Sequence, residues 1–253
     1  MTTETPERAR IKIEKTPKRI RAYLDGRAVI DTINAVSVWE KPYYPTYYFP
    51  LADVDQSILV ASGETKKSPS RGLADLYAVK GSNRTTDQGA YAYPDSPIPE
   101  LQGLIAFRWD ALDHWFEEDE EVFIHARDPY TRIDILPSSR RVTVEINGVQ
   151  VADTTNAMML FETGLPTRYY MPKTDVRLDL LTATETVTHC PYKGAARYWS
   201  VQANGESFED HVWGYDTPLP ESSRIAGLVS FYNEKVDIYL DGEQQEKAKT
   251  KFS

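Results

Sequence analysis

CPYKGAARYWSV, residues 190–201, decides the fold, because it lies without gaps over SPSRGLADLYAV, residues 68–79. Pro69 falls on Pro191, Gly72 on Gly194, Ala74 on Ala196 and Val79 on Val201. The same offset holds upstream. It places Gly26 on Gly148, Asp31-Thr32 on Asp153-Thr154, Asn34-Ala35 on Asn156-Ala157 and Glu40 on Glu162. It also places Tyr47-Tyr48 on Tyr169-Tyr170, Pro50 on Pro172 and Asp53-Val54 on Asp175-Val176. Downstream Tyr93 meets Tyr215, and after a two-residue slip Gly103-Leu104 and Phe107 meet Gly227-Leu228 and Phe231. One register kept at Gly, Pro, Tyr and Asp positions over so long a span is the signature of a tandem duplication, and an internal repeat fixes the organisation of the whole chain.

The repeat divides the chain into an N-terminal tail (1–19), a first repeat (20–124), a joining segment (125–139), a second repeat (140–247) and a C-terminal tail (248–253). Within the second repeat, Val142, Val144 and Ile146 alternate with polar neighbours, the period of a half-buried strand. Asn147-Gly148 follows, and both central residues of a type I′ hairpin turn need positive φ, which Asn, Asp and Gly tolerate. Asp25-Gly26, Asn204-Gly205 and Asp241-Gly242 repeat the device. Short strands at regular spacing predict an all-β, mainly antiparallel fold. GLVSFY and KVDIYL supply the closing strands. Residues 110–116 read equally as a capped helix, but the repeat places Asp113 on Asp237 and predicts a strand over 112–116. The acidic run Glu117 to Glu121 reads as a solvated connector.

A formal charge of −9 and a pI near 5.1 disfavour nucleic acid as a partner, which needs a basic face. The basic side chains between Arg8 and Arg21 alternate with Glu14 and read as a solvated terminus. No stretch reaches the ~18 apolar residues of a membrane helix, and no secretory leader is visible, so a cytoplasmic location is expected. With Cys190 as the only cysteine, neither an internal disulfide nor a Cys-rich zinc site can form. His114, His125, His189 and His211 are scattered without metal-ligand spacing. No cofactor or metal is expected.

Aromatic residues are the unusual local feature. Tyr169, Tyr170, Tyr192, Tyr198, Trp199, Trp213 and Tyr215 cluster in the second repeat, and Tyr47, Tyr48, Tyr77, Tyr91 and Tyr93 answer in the first. Tyr and Trp suit pocket walls as well as cores, because each keeps a polar atom that wants a partner. HCPYKG, residues 189–194, sets a thiol between His189 and Lys193, where the thiolate would be favoured. A lone cysteine is also a common small core residue. In RYYMPKTDV, residues 168–176, Arg168 stands beside two tyrosines with Glu162 nearby, an arrangement able to hold an anionic ligand group or to form a structural ion pair. Arg127-Asp128 and Arg132-Asp134 in the joining segment read as interdomain ion pairs.

FETGLPTRYYMPKTDV and CPYKGAARYWSV resemble a family of uncharacterised bacterial and fungal domains, catalogued as a domain of unknown function and also labelled nucleotidyltransferase family 9. The resemblance covers both copies and includes HARDPYTRID, with the CPYKG, VWGY and AGLVSFY elements in order. It implies a small barrel of the β-tent type, similar to methionine sulfoxide reductase B and Mss4-like proteins, in which two antiparallel sheets meet around a ligand-accepting crevice. Nucleotidyl transfer would need a Gly-Ser element followed by paired acids for Mg²⁺. Here Gly81-Ser82 follows Asp53 and Asp55, and Arg177 stands where the repeat would require the second acid. No P-loop, Rossmann fingerprint or nucleophile elbow is present.

The expected function is binding of a small organic molecule in an aromatic crevice of the second repeat, using Glu162, Arg168, Tyr169, Tyr170, Cys190, Lys193, Tyr198, Trp199, Trp213 and Tyr215. Trp199 and Trp213 should approach each other across a ladder and form one wall, with Tyr169 and Tyr170 opposite. The alternatives are an enzyme acting through Cys190 with His189, or through a tyrosine, and a protein-interaction scaffold. The two repeats are expected to pack as a pseudo-dimer, since duplication commonly replaces a two-fold contact.

Overall fold

All four Asx-Gly pairs turn the chain as their chemistry demands. Both residues have positive φ in Asp25-Gly26 (51° and 74°), Asn147-Gly148 (49° and 74°), Asn204-Gly205 (49° and 81°) and Asp241-Gly242 (56° and 87°). The computed structural model describes residues 11–250 and divides into two units between Asp128 and Pro129. Each unit is all-β and mainly antiparallel.

The first unit contains β1 (Ile13–Lys15), β2 (Ile20–Leu24), β3 (Arg27–Thr32), β4 (Val36–Val38), β5 (Thr46–Pro50), β6 (Leu59–Ser68), β7 (Gly72–Lys80), β8 (Thr85–Ala92), β9 (Leu104–Phe107), β10 (His114–Glu117) and β11 (Glu120–Glu121). They form an open sheet ordered β1-β4-β5-β9-β8-β7-β6 and a smaller one ordered β11-β10-β2-β3. The second unit contains β12 (Ile133–Ser138), β13 (Val142–Ile146), β14 (Val149–Thr154), β15 (Ala157–Glu162), β16 (Arg168–Tyr170), β17 (Leu181–Cys190), β18 (Gly194–Ala203), β19 (Glu206–Gly214), β20 (Val229–Phe231), β21 (Asp237–Leu240) and β22 (Glu243–Gln244).

Strand order repeats between the units. The small sheet recurs as β22-β21-β13-β14. The large sheet recurs as β12-β15-β16 and β20-β19-β18-β17, where a single antiparallel bridge, Met171 to Val229, replaces the β5-β9 pairing. Individual side chains repeat as well. Arg19 and Asp31 make the same two hydrogen bonds as Arg141 and Asp153. Thr32 donates to Asp53 at 2.5 Å, and Thr154 donates to Asp175 at 2.6 Å.

Each large sheet is buried on both faces. Because successive side chains of a strand point to opposite sides, Tyr47 and Phe49 enter the core shared with the small sheet, together with Ile20, Ala22, Val79, Phe107 and Trp115. Tyr48 enters a second core on the outer face, with Val38, Ala74, Leu76, Tyr93 and Leu101. The second unit reproduces the division: Tyr169 lies in the inner core and Tyr170 in the outer one. Short 3₁₀ turns at Pro99–Leu101 and Pro220–Ile225 deliver Leu101 and Ile225 onto the outer face, both fully buried. Burying each contributes about 1.5–3 kcal/mol.

Two sequence expectations are corrected here. The repeats begin earlier than residues 20 and 140: β1, inside the expected tail, pairs with β4, and β12, inside the expected joining segment, pairs with β15. The run Glu117 to Glu121 is no free connector but a hairpin between β10 and β11, and Glu117 is buried, accepting from Tyr47 Oη at 2.8 Å, from the Arg127 amide and from Lys18. Arg127 pairs with Glu120, and Arg132 with Asp134. Arg8 and Arg10 lie outside the described residues. Among the described residues no helix is long and apolar enough to cross a membrane.

Candidate functional site

The outer face of each large sheet carries a polar cluster set among aromatic rings. In the first unit, Glu40 follows β4 and receives hydrogen bonds from two tyrosines of the adjoining strands, Tyr48 and Tyr91, the latter at 3.0 Å. Arg71, in the turn between β6 and β7, donates through Nε to Tyr93 Oη at 3.1 Å and lies 3.6 Å from Glu40. Every member of this cluster has a partner. Burial pushes the Tyr48 and Tyr91 phenols well above their ordinary range, and the neighbouring Glu40 charge adds to the effect.

The second unit places Glu162, Lys193, Tyr170, Trp213 and Tyr215 at the same positions, with a different set of bonds. Lys193 Nζ lies 2.5 Å from Glu162 Oε2, and the two side chains are 9% and 7% exposed. Trp213, where the first unit has Tyr91, is a donor only, and its Nε1 donates a hydrogen bond to Tyr170 Oη at 3.1 Å. Tyr170 therefore accepts a bond where Tyr48 donates one. The consequences spread. Lys193 is the one hydrogen-bond partner of the Glu162 carboxylate among the described residues, and Tyr215 has lost the bond that Arg71 gives Tyr93. Tyr215 is 5% exposed, and its hydroxyl has no hydrogen-bond partner among the described residues. Ser230, opposite Trp213 in the ladder, is fully buried with its Oγ unpaired among those residues. Burial holds the Tyr170 and Tyr215 phenols well above their usual range, so both stay protonated at neutral pH.

A second buried pair adjoins this cluster. Arg168 donates to both oxygens of Glu234 at 2.7 Å and to Asn233 Oδ1 at 3.0 Å. Its guanidinium lies 5.4 Å from the Trp213 ring and 5.9 Å from the Tyr232 ring. Tyr198 Oη is 2.8 Å from Thr188 Oγ1 and 3.3 Å from Tyr232 Oη. Beside Glu162 the surface opens into a recess of about 340 Å³ lined by Arg132, Asp134, Phe161, Glu162, Leu165 and Thr167.

Of the residues singled out from sequence, Arg168, Tyr170, Tyr198, Trp213 and Tyr215 gather on the outer face, and Glu162, Cys190 and Lys193 stand beside them. Tyr169 and Trp199 do not join them, since both pack with the inner core. Trp213 lies opposite Tyr198, whereas Trp199 lies opposite Val212. The wall expected from Trp199 and Trp213 is therefore absent: the two indoles occupy opposite faces of one sheet. Trp199 instead sits 5.0 Å beneath Lys173 Nζ. The aromatic rings of the outer face pack on one another rather than around an open crevice, with Tyr170 and Trp213 edge to face at 6.2 Å and Trp213 and Tyr232 at 4.4 Å. His189 is exposed and Cys190 half-buried on adjacent positions of β17. Sequence reasoning missed Tyr232, Asn233, Glu234 and Ser230, which the two-residue slip removes from the simple register.

Together these features define a duplicated all-β protein in which one polar cluster has been kept in two versions. The family described as "Domain of unknown function (DUF427)" matches residues 12–118 and again 134–242, and the chain belongs to that family as a tandem pair. No curated protein matches the chain.

Proposed function

We propose that the second unit binds a small organic molecule, taken up through the recess beside Glu162 and held at the Glu162-Lys193 pair. The observation that supports this reading is the contrast between the two clusters. In the first unit both oxygens of Glu40 and the hydroxyls of Tyr48, Tyr91 and Tyr93 have protein partners. In the second the same fold leaves the Ser230 hydroxyl buried and unpaired, and the Tyr215 hydroxyl and one Glu162 oxygen without a protein hydrogen bond among the described residues. Buried polar groups are rarely left so, because an unmade bond costs about 1–3 kcal/mol, and a polar ligand is one way of supplying the missing partners. The recess combines apolar Phe161 and Leu165 with polar Arg132, Asp134, Glu162, Thr163 and Thr167, a mixture found in small-molecule sites. Catalysis through Cys190 and His189 draws no comparable support, since neighbours on a strand point to opposite faces.

Native mass spectrometry of the full chain, purified from its own host, tests the reading. A retained small-molecule mass is expected, and it should be lost on Phe161→Asp, which alters an exposed wall of the recess and leaves the core untouched. Absence of any retained mass, together with unchanged melting across a library of small organic molecules, would overturn it.

A further inference from the structure

Resting on that reading, the geometry points to the chemical class of the group held at the pair: a neutral carboxamide, whose N–H and carbonyl lie on one edge. The pair itself supplies the reason. Glu162 and Lys193 neutralise each other at 2.5 Å in a place where both side chains are nearly excluded from water. A ligand carboxylate or ammonium brought against them would add one uncompensated charge to a poorly solvated site, and such a charge is expensive to desolvate. A neutral group avoids that cost but must still satisfy what the pair leaves open. Lys193 has three N–H donors and uses one on Glu162. Glu162 has a second oxygen with no donor among the described residues. Donor and acceptor thus stand side by side, and a carboxamide meets both, its carbonyl accepting from Lys193 Nζ while its N–H donates to Glu162.

The first unit shows the same design with the carboxylate closed: Arg71 turns its Nε to Tyr93, and each Glu40 oxygen accepts from a tyrosine hydroxyl, so neither oxygen is left without a donor. The class of ligand therefore belongs to the second unit alone.

Three probes of one shape separate the charge states: benzamide, benzoate and benzylamine, each carrying a ring for Phe161 and Leu165. Binding to the full chain is measured by ligand-observed saturation-transfer NMR. Benzamide should bind at least tenfold more tightly than benzoate or benzylamine. Two variants should invert the order. Glu162→Gln leaves the lysine charge unopposed and should favour benzoate, whereas Lys193→Gln leaves the carboxylate unopposed and should favour benzylamine. Should either variant fail to fold by far-UV circular dichroism, the wild-type ranking alone decides. A wild-type preference for either charged probe overturns the neutral class, as does failure of all three to bind. The retained mass sought above depends on none of these probes, so ligand binding as such stands or falls separately.

Discussion

Replacing Glu234 with alanine isolates the most deeply buried ion pair of the second unit. The Glu234 side chain is fully buried and that of Arg168 is 8% exposed, so solvent does little to screen either charge. Removing one partner from such a pair leaves an uncompensated buried charge and costs about 3–5 kcal/mol. Asn233 Oδ1 remains at 3.0 Å and the Trp213 and Tyr232 faces still attract the guanidinium, so the lower end, about 3 kcal/mol, is expected. The pH dependence follows from the direction of the Glu234 shift. Burial alone would raise its pKa, but hydrogen bonds from Arg168 and Thr250 outweigh burial and hold it below the ordinary carboxylate value. A depressed carboxylate contributes stability above its unfolded pKa and loses it as pH falls through the folded one, so the gap between wild type and variant should narrow in acid. Urea unfolding followed by tryptophan fluorescence is the assay, with Trp213 as a reporter touching Arg168. The pair Arg168→Met with Glu234→Leu should recover most of the loss. A cost below about 1 kcal/mol for Glu234→Ala, the range of exposed pairs, would show that the site is wet and that its charges are screened.

Glu40→Ala should lower the melting temperature through the first unit, because the Tyr48 and Tyr91 hydroxyls lose their shared acceptor, at about 1–3 kcal/mol for each buried group left unsatisfied; no shift would mean that water replaces the carboxylate freely. Alkaline unfolding should be steep: the phenols of Tyr48, Tyr91, Tyr170 and Tyr215 are raised by burial, so their stabilisation is complete below the unfolded value near ~10 and is lost above it, at about 1.4 kcal/mol per pH unit for each tyrosine. Phenolate absorbance from these four should appear only with the loss of near-UV circular dichroism, and smooth ionisation in a folded protein would contradict their burial.

The duplication, the antiparallel class and all four hairpin turns were readable because Gly, Asn and Asp at positive φ leave a local mark that survives drift. Strands β1 and β12 left none: one is three residues of mixed polarity and the other contains Pro137, so only pairing with β4 and β15 reveals them. The arrangement of Trp199 and Trp213 was in the sequence and went unread. A two-residue turn at Asn204-Gly205 opposes Ala203 to Glu206, so residues sharing a face across that hairpin are an odd number of positions apart. Trp199 and Trp213 are an even number apart. The bulge near Asp210 does not alter that parity, since Trp199 still meets Val212. Glu234 carried no local signal, because its role depends on Arg168 arriving from a strand distant in sequence.

One exchange of side chain, Tyr91 in the first unit against Trp213 in the second, also bears on how such a protein changes over generations. In an assembly of identical subunits, a substitution enters every copy of a cluster at once, and any loss of stability is multiplied by the number of copies. A fused tandem is released from that rule. Here one half carries an indole where the other carries a phenol: Tyr170 accepts from Trp213 where Tyr48 donates to Glu40, and the Glu162 carboxylate has one hydrogen-bond partner among the described residues where that of Glu40 has two. Asymmetry of this kind lets two copies carry different bonding on one fold.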